Sequence, residues 1–401
     1  MNCLFIATNN IPLSHAYLWF IVSIGILIVI ARKNILLALI ISSLVLGIFT
    51  LGINKTFVII INTLTSLDVL LFSSATGIIA YIGGLLSESG AAKAIVRSLG
   101  NRPKISVSFI PALFGTLPMP GGAILSAPIV DKALPDVSPD VKSAINVYFR
   151  HVVFLVYPLQ TTLLFLAIFT NLNLFDILAY IIPMFPISVS VGYFYYLHKI
   201  KVKTRKTRIS YSILLFNLIP IILPVFIYAI LQQVLSKTTA LVFSVLFGLI
   251  LALLIFGYKK ELLINALKIK PHFFFVLTLL MWLYMEIAMQ SLEKSLSLAN
   301  IGFILSVIVI PFILGFLLGR MQFPALVGIS LYLAQFKFII PKIVAMSFVF
   351  SFLGYVMSPV HPCVIVTAEY FHVNSPSVIK RMMIPVLVTF AFGIVVFLLV
   401  P

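Results

Sequence analysis

The chain has 401 residues, 62% of them hydrophobic and only 9% charged, and carries a formal net charge of +17. A soluble globular domain is excluded, because uninterrupted apolar runs reach the roughly 20 residues that a bilayer-spanning helix needs. Nucleic acid is excluded as the reason for the charge, since Lys and Arg cluster in short segments between apolar runs, the pattern that orients a membrane protein.

The first apolar run, Ala16 to Ala31, follows a polar start without basic residues and lacks a small-residue cleavage site, so it reads as a retained span. Further spans are predicted near 34–53, 67–86, 148–170, 174–197, 210–235, 239–257, 272–290, 343–371 and 383–400, which makes ten. Two other apolar stretches, 105–133 and 299–335, are broken in the middle by glycine, proline and polar residues. Each half is too short to cross about 30 Å at about 1.5 Å per residue. They are predicted as re-entrant helical hairpins, whose tips survive at membrane depth only where protein or a water-filled cavity satisfies the backbone. Cys3 and Cys363 lie far apart and fit neither a disulfide framework nor a metal-ligand spacing, so no metal and no cofactor is expected.

With Arg32 and Lys33 placed inside and both hairpins returning to the side they entered, twenty-one basic residues fall on interior loops and five outside, with Arg320 buried. That asymmetry supports the topology and puts both termini on the extracytoplasmic face of a multi-pass plasma-membrane protein. The same topology divides the chain into 1–198, a basic cytoplasmic linker at 199–208, and 209–401. Each half holds three spans, a hairpin, a broken span (148–170 or 343–371) and a final span, and five crossings per half invert the second relative to the first. Ile110-Pro111 with Gly115 recurs as Ile310-Pro311 with Gly315, and Tyr157-Pro158 aligns with Ser358-Pro359. Inverted repeats with helices interrupted at matched places are the architecture of secondary transporters. The expected fold is therefore an all-α polytopic membrane protein of about ten spans and two hairpins.

The order of elements resembles the ion transporter superfamily, which contains gluconate permeases, citrate and dicarboxylate carriers, arsenite pumps and sodium/proton antiporters. Leu117-Pro118-Met119-Pro120-Gly121-Gly122-Ala123-Ile124-Leu125-Ser126-Ala127-Pro128 looks like the hairpin of an uncharacterised prokaryotic membrane subfamily within it. The resemblance implies an elevator-type carrier, with hairpins and broken spans in a mobile domain and the other spans in a scaffold that forms a homodimer. The Ser-Asn-Thr hairpin tips of sodium-dependent dicarboxylate carriers are absent, so neither that specificity nor sodium coupling carries over.

Residue chemistry points to an anion. Arg320 sits alone in an apolar stretch, and a guanidinium at that depth is costly unless it faces a cavity or an anionic partner. It can grip a carboxylate through two bonds, and Gln322 adds donors. Thr116 ends the first half-helix of hairpin one, and Gly121 with Gly122 begins the second. There, free N–H groups and the positive end of the helix dipole make an anion cradle. Snorkelling of Arg320, or a turn kept only for packing, are the plainer alternatives. The broken spans add Gln160, Thr161 and Thr162 in the first half and Ser358, His361 and Thr367 in the second. His361 could carry a coupled proton, Thr367 and Glu369 join it as coupling-ion candidates, and a sodium site is placed near Thr162 and Ser358. Arg150 reads as an orientation charge. A channel would need a continuous polar stripe. A cation/proton antiporter would need buried paired carboxylates, and an integral-membrane enzyme would need a catalytic motif that is missing. The expected function is secondary active transport of a small organic anion, a carboxylate or sugar acid, driven by a proton or sodium gradient, with no enzymatic activity.

Overall fold

Hydrocarbon offers no partner to a backbone amide, so a chain this apolar must satisfy its peptide groups within each segment, and helices do so. The computed structural model describes residues 13–31, 33–98, 102–116, 122–201, 210–296 and 302–400, and every regular element among them is helical. The first half runs through α1 (Leu13–Ala31), α2 (Ile35–Leu51), α3 (Ile53–Thr65), α4 (Leu67–Glu88), α5 (Ala91–Ser98), α6 (Pro103–Gly115), α7 (Gly122–Ala133), α8 (Pro139–Val152), α9 (Thr161–Phe169), α10 (Leu174–Ile181) and α11 (Met184–Gly192). After the basic segment come α12 (Tyr211–Leu231), α13 (Lys237–Phe256), α14 (Lys260–Ala266), α15 (Pro271–Leu296), α16 (Ile310–Leu318), α17 (Gln322–Phe336), α18 (Pro341–Val356), α19 (Pro362–Tyr370) and α20 (Ser375–Leu399).

Among the described residues, six helical segments are long and apolar enough to cross a membrane: 67–88, 174–197, 211–231, 237–256, 260–291 and 375–399. They coincide with six of the ten expected spans. Two of the other four are α1 and α2, and two are the broken spans, each divided into short helices. The first broken element begins at Pro139, earlier than the expected 148, because Lys142, Asn146 and Arg150 interrupt its hydrophobicity without interrupting the helix. The sequence reading passes over α3, a 13-residue helix in which Asn54, Lys55, Asn62 and several Thr keep the apolar run short. Both 105–133 and 299–335 do fold as helical pairs, α6–α7 and α16–α17. Most of the 199–208 linker lies outside the described residues.

The helices sort into two groups. One packs α1, α2, α4, α12, α13 and α15 together; the other gathers the helical pairs and broken elements around α8 and α18. From Lys142 to Val152, α8 is buried on every side, and α18 is buried continuously from Ile343 to Gly354. Glycine sets the spacing. A Cβ on Gly115 of α6 would strike the carbonyl of Arg150 in α8, and one on Gly315 of α16 would strike that of Ser351 in α18. Hydrogen bonds repeat the correspondence. Asn146 of α8 donates to Ala123 O of α7 at 3.0 Å, and Ser347 of α18 donates to Ala325 O of α17 at 2.6 Å. The second limbs cross over between halves, α7 packing against α19 and α17 against α9.

Candidate functional site

Proline, which cannot donate to a helical ladder, helps stop α8–α9 at Pro158 and α18–α19 at Pro359. In the first break the chain passes through a short 3₁₀ turn, Val153–Leu155, and restarts where Gln160 caps α9 by accepting from Leu163 N at 2.8 Å. The Gln160 amide also reaches Thr162 Oγ1 at 3.2 Å and the Met321 sulfur at 3.6 Å, so the first break touches the tip of the second helical pair. Thr162 is buried and Thr161 half-buried. In the second break Ser358 is fully buried, and its hydroxyl accepts from Val360 N at 3.3 Å. The two hydroxyls expected to share a sodium site are thus each engaged within their own break.

At the second tip, Gly319 closes α16 with φ +59°, a left-handed conformation in which a side chain is strained. It is also crowded, because a Cβ there would lie 3.0 Å from the Val360 carbonyl carbon. This tight seat of tip against break delivers half-buried Arg320 into electrostatic reach of Tyr355 and Cys363. Gln322, also half-buried, opens α17 next to it. At the first tip, Leu117 to Gly121 lie outside the described residues, and with them the Gly121 part of the expected cradle. Thr116 ends the first arm by donating to Leu113 O at 2.7 Å.

Gly122 brings a correction. A Cβ at this position would meet the Arg150 guanidinium, with Nη2 at 2.6 Å. Arg150 is only 4% exposed and packs over the start of α7, so it belongs to the site and is not a loop charge that orients the chain. The next residue, His151, is buried and directs Nδ1 to Val147 O at 2.6 Å. Its ring lies 4.5 Å from that of His361, centroid to centroid, and His361 stacks on Tyr355 at 4.0 Å. His361 is fully buried, with Nδ1 3.0 Å from Tyr355 O. Asn146 closes the cluster by donating to Thr367 Oγ1 at 3.3 Å, which joins the first broken element to buried Thr367 on α19.

Two expectations change here. Glu369 is exposed at the end of α19, whereas Cys363 and Thr367 of the same helix are buried. Cys363, set aside in sequence, offers its sulfur within 4.8 Å of ligand atoms on both His151 and His361, so its distance from Cys3 said nothing about its partners in space. Sequence reasoning missed Asn146, Arg150, His151, Tyr355 and Cys363. A signal was available, because polar residues spaced along a helix that leads into a proline break would all approach that break.

Nearby carboxylates are engaged elsewhere: Asp131 pairs with Lys142 at 2.7 Å and Asp140 with Arg381 at 2.5 Å. Burial costs Asp140 something, but hydrogen bonds from Ser138 and Arg381 and the guanidinium's charge outweigh it and hold the carboxyl below its ordinary range. Two guanidinium groups, two imidazoles and a thiol therefore gather around Tyr355 and His361, with the helix restart at Gly122 beside Arg150.

This combination defines a polytopic helical membrane protein whose interrupted helices assemble a cationic, histidine-bearing site. Within that class the chain belongs to the family described as protein of unknown function DUF401, whose profile matches residues 13–400. No curated protein matches it.

Proposed function

We propose that this protein is a secondary active transporter for a small organic anion, a carboxylate or sugar acid, held between the two halves of an inverted repeat and moved by alternating access on a proton or sodium gradient. The observation that carries the reading is that Arg150 and Arg320, one from each half, both lie within electrostatic reach of Tyr355 and His361, with Arg150 packed over the helix restart at Gly122. Guanidinium groups suit a carboxylate through paired charge-assisted bonds, and the positive ends of interrupted helices add to the attraction. The matched packing of Gly115 on Arg150 and Gly315 on Ser351 supports the repeat. The separation into two helix groups supports a scaffold and a moving domain. The antiporter alternative draws nothing from Glu369, which is exposed. Extracytoplasmic termini and dimerisation belong to the same proposal.

The test is a thermal-shift screen of the purified protein against small carboxylates, sugar acids, phosphonates and inorganic oxyanions, each with and without sodium. A specific ligand stabilises by mass action, about 2.7 kcal/mol at a hundredfold excess over Kd. A carboxylate hit that is lost in Arg320→Gln is expected, and dependence on sodium would name the coupling ion. Stabilisation by a cation alone, with no organic hit, would overturn the anion reading in favour of antiport.

A further inference from the structure

The structure assigns His151, His361 and Cys363 to a transition-metal site for a borderline-soft divalent ion of the zinc class. Three kinds of observation lead there. One ligand atom of each residue lies within 4.8 Å of one from each of the others, and all three residues are buried. An ion with about 2.0–2.1 Å bonds to nitrogen and about 2.3 Å to sulfur draws such atoms together by roughly an ångström, within reach of rotamer adjustment.

The tautomers are also arranged for it. Nδ1 of His151 lies 2.6 Å from Val147 O and Nδ1 of His361 lies 3.0 Å from Tyr355 O. A carbonyl only accepts, so each Nδ1 carries the proton and each Nε2 is left with its lone pair. A metal-ligating histidine ordinarily has this arrangement, its second nitrogen donating to a backbone carbonyl or carboxylate that fixes the ring. His361 Nε2 is fully buried and has no hydrogen-bond partner among the described residues, a cost that a coordinated ion removes.

Charge is the third. A metal binds thiolate, and Arg320 stands within electrostatic reach of Cys363, placing positive charge beside the sulfur that must become negative. Arg150 and Arg320 both act on His361 and oppose a bare cation; the thiolate offsets only part of that repulsion, so the site favours an ion that gains most of its binding from covalent bonds to nitrogen and sulfur. One hard-oxygen alternative is disfavoured by the donor set itself, since imidazole and thiolate select zinc-like and not magnesium- or calcium-like ions. The three ligands come from α8, from the second break and from α19, so an ion here would lock the two broken elements together. With its lone pair in a metal bond, His361 would no longer serve as the proton carrier expected from sequence.

The experiment uses the full-length protein in detergent, stripped with chelator and titrated with Co²⁺ as a zinc substitute. One equivalent is expected to bind saturably, with a sulfur-to-cobalt charge-transfer band and intense tetrahedral visible bands. Cys363→Ser should abolish the charge-transfer band, and His151→Gln or His361→Gln should each weaken binding at least tenfold. X-ray absorption of zinc-loaded wild-type protein needs no variant to fold: one sulfur and at least two nitrogens in the first shell support the site. A shell of oxygen and nitrogen only, a Co²⁺ spectrum unchanged in Cys363→Ser, or no saturable binding overturns it.

Discussion

The two broken elements, α8–α9 and α18–α19, are built alike and furnished differently. Each begins with a proline as its first helical residue, is surrounded by protein, packs against a glycine of a neighbouring helical pair and donates a side-chain hydrogen bond to that pair's second arm. Yet α8 carries Asn146, Arg150 and His151 on its buried surface, whereas α18 offers mainly hydroxyls and apolar side chains. In the second half the positive charge comes instead from the tip, at Arg320, and the imidazole from the break itself, at His361. A shared backbone plan thus delivers similar chemistry to one place from non-equivalent positions. Packing geometry is what the two halves have in common, and the placement of function within it is not.

The largest effect expected from breaking this comparison is on the two arginines. If Arg150 and Arg320 hold one anion between them, Arg150→Gln and Arg320→Gln should each weaken binding by about 2–5 kcal/mol, the usual loss when one partner of a buried charge pair is truncated. Ligand-dependent thermal shift checks this, and unliganded melting and gel filtration check the fold. A variant that melts normally and keeps full ligand affinity would remove that arginine from the site. Losing affinity in only one would mean that the halves divide the labour, with the other arginine serving the packing of its tip.

Next in size are the glycines. Gly115→Val and Gly315→Val each force a side chain into a backbone carbonyl of the helix opposite. Overpacking of this kind costs about 1–3 kcal/mol, and rigid backbone as the obstacle places both at the upper end. Gly25→Val in α1 is the control, since a Cβ there meets nothing within 4 Å. Denaturant or thermal unfolding should show similar losses at 115 and 315 and almost none at 25. A large loss in only one half would refute the equivalence of the two contacts.

These contacts also show what the sequence made legible. The paired Ile-Pro and Gly motifs, the interrupted stretches at 105–133 and 299–335 and the two proline breaks could be read because turns, prolines and short apolar halves are local signals. Arg320, isolated in an apolar run, was equally visible. Arg150, His151 and Cys363 were not. Arg150 and His151 sit in a stretch whose Lys, Asn and Arg resemble a cytoplasmic loop, and only tertiary packing reveals that α8 is enclosed. Cys363 gains meaning from a histidine 212 positions earlier, at His151, a proximity set by how α8 meets α19 and not by spacing. Glu369 failed for a related reason: its distance from the break was right, but its azimuth on α19 turns it outward.

A smaller effect separates the two side-chain bonds that tie each broken element to its helical pair. Ser347 donates one bond, to Ala325 O, so Ser347→Ala should cost about 0.5–1.5 kcal/mol. Asn146 bonds both Ala123 O and Thr367 Oγ1, the latter across to α19, so Asn146→Ala should cost about 1–3 kcal/mol. A double variant with Thr367→Val should lose less than the sum, because the two residues share a bond. Strict additivity would mean that the cross-half bond contributes nothing.

The smallest effect lies at the start of the first broken element, where Asp140 of α8 pairs with Arg381 near the start of α20. The pair is solvent-accessible, so Asp140→Asn should cost under about 1 kcal/mol at neutral pH and less at high salt. Its pH dependence has a definite sign. Because the folded state holds the Asp140 carboxyl below its ordinary range, the contribution is present above the unfolded carboxylate's pKa of about 3.9. It disappears as acid drives the pH down through the lower, folded value. The difference in melting temperature between wild type and Asp140→Asn should therefore be measurable at pH 7 and shrink toward pH 3. A difference that grows in acid would mean that Asp140 acts through its neutral form, as a hydrogen-bond donor at the mouth of α8, and that the ion pair with α20 is incidental.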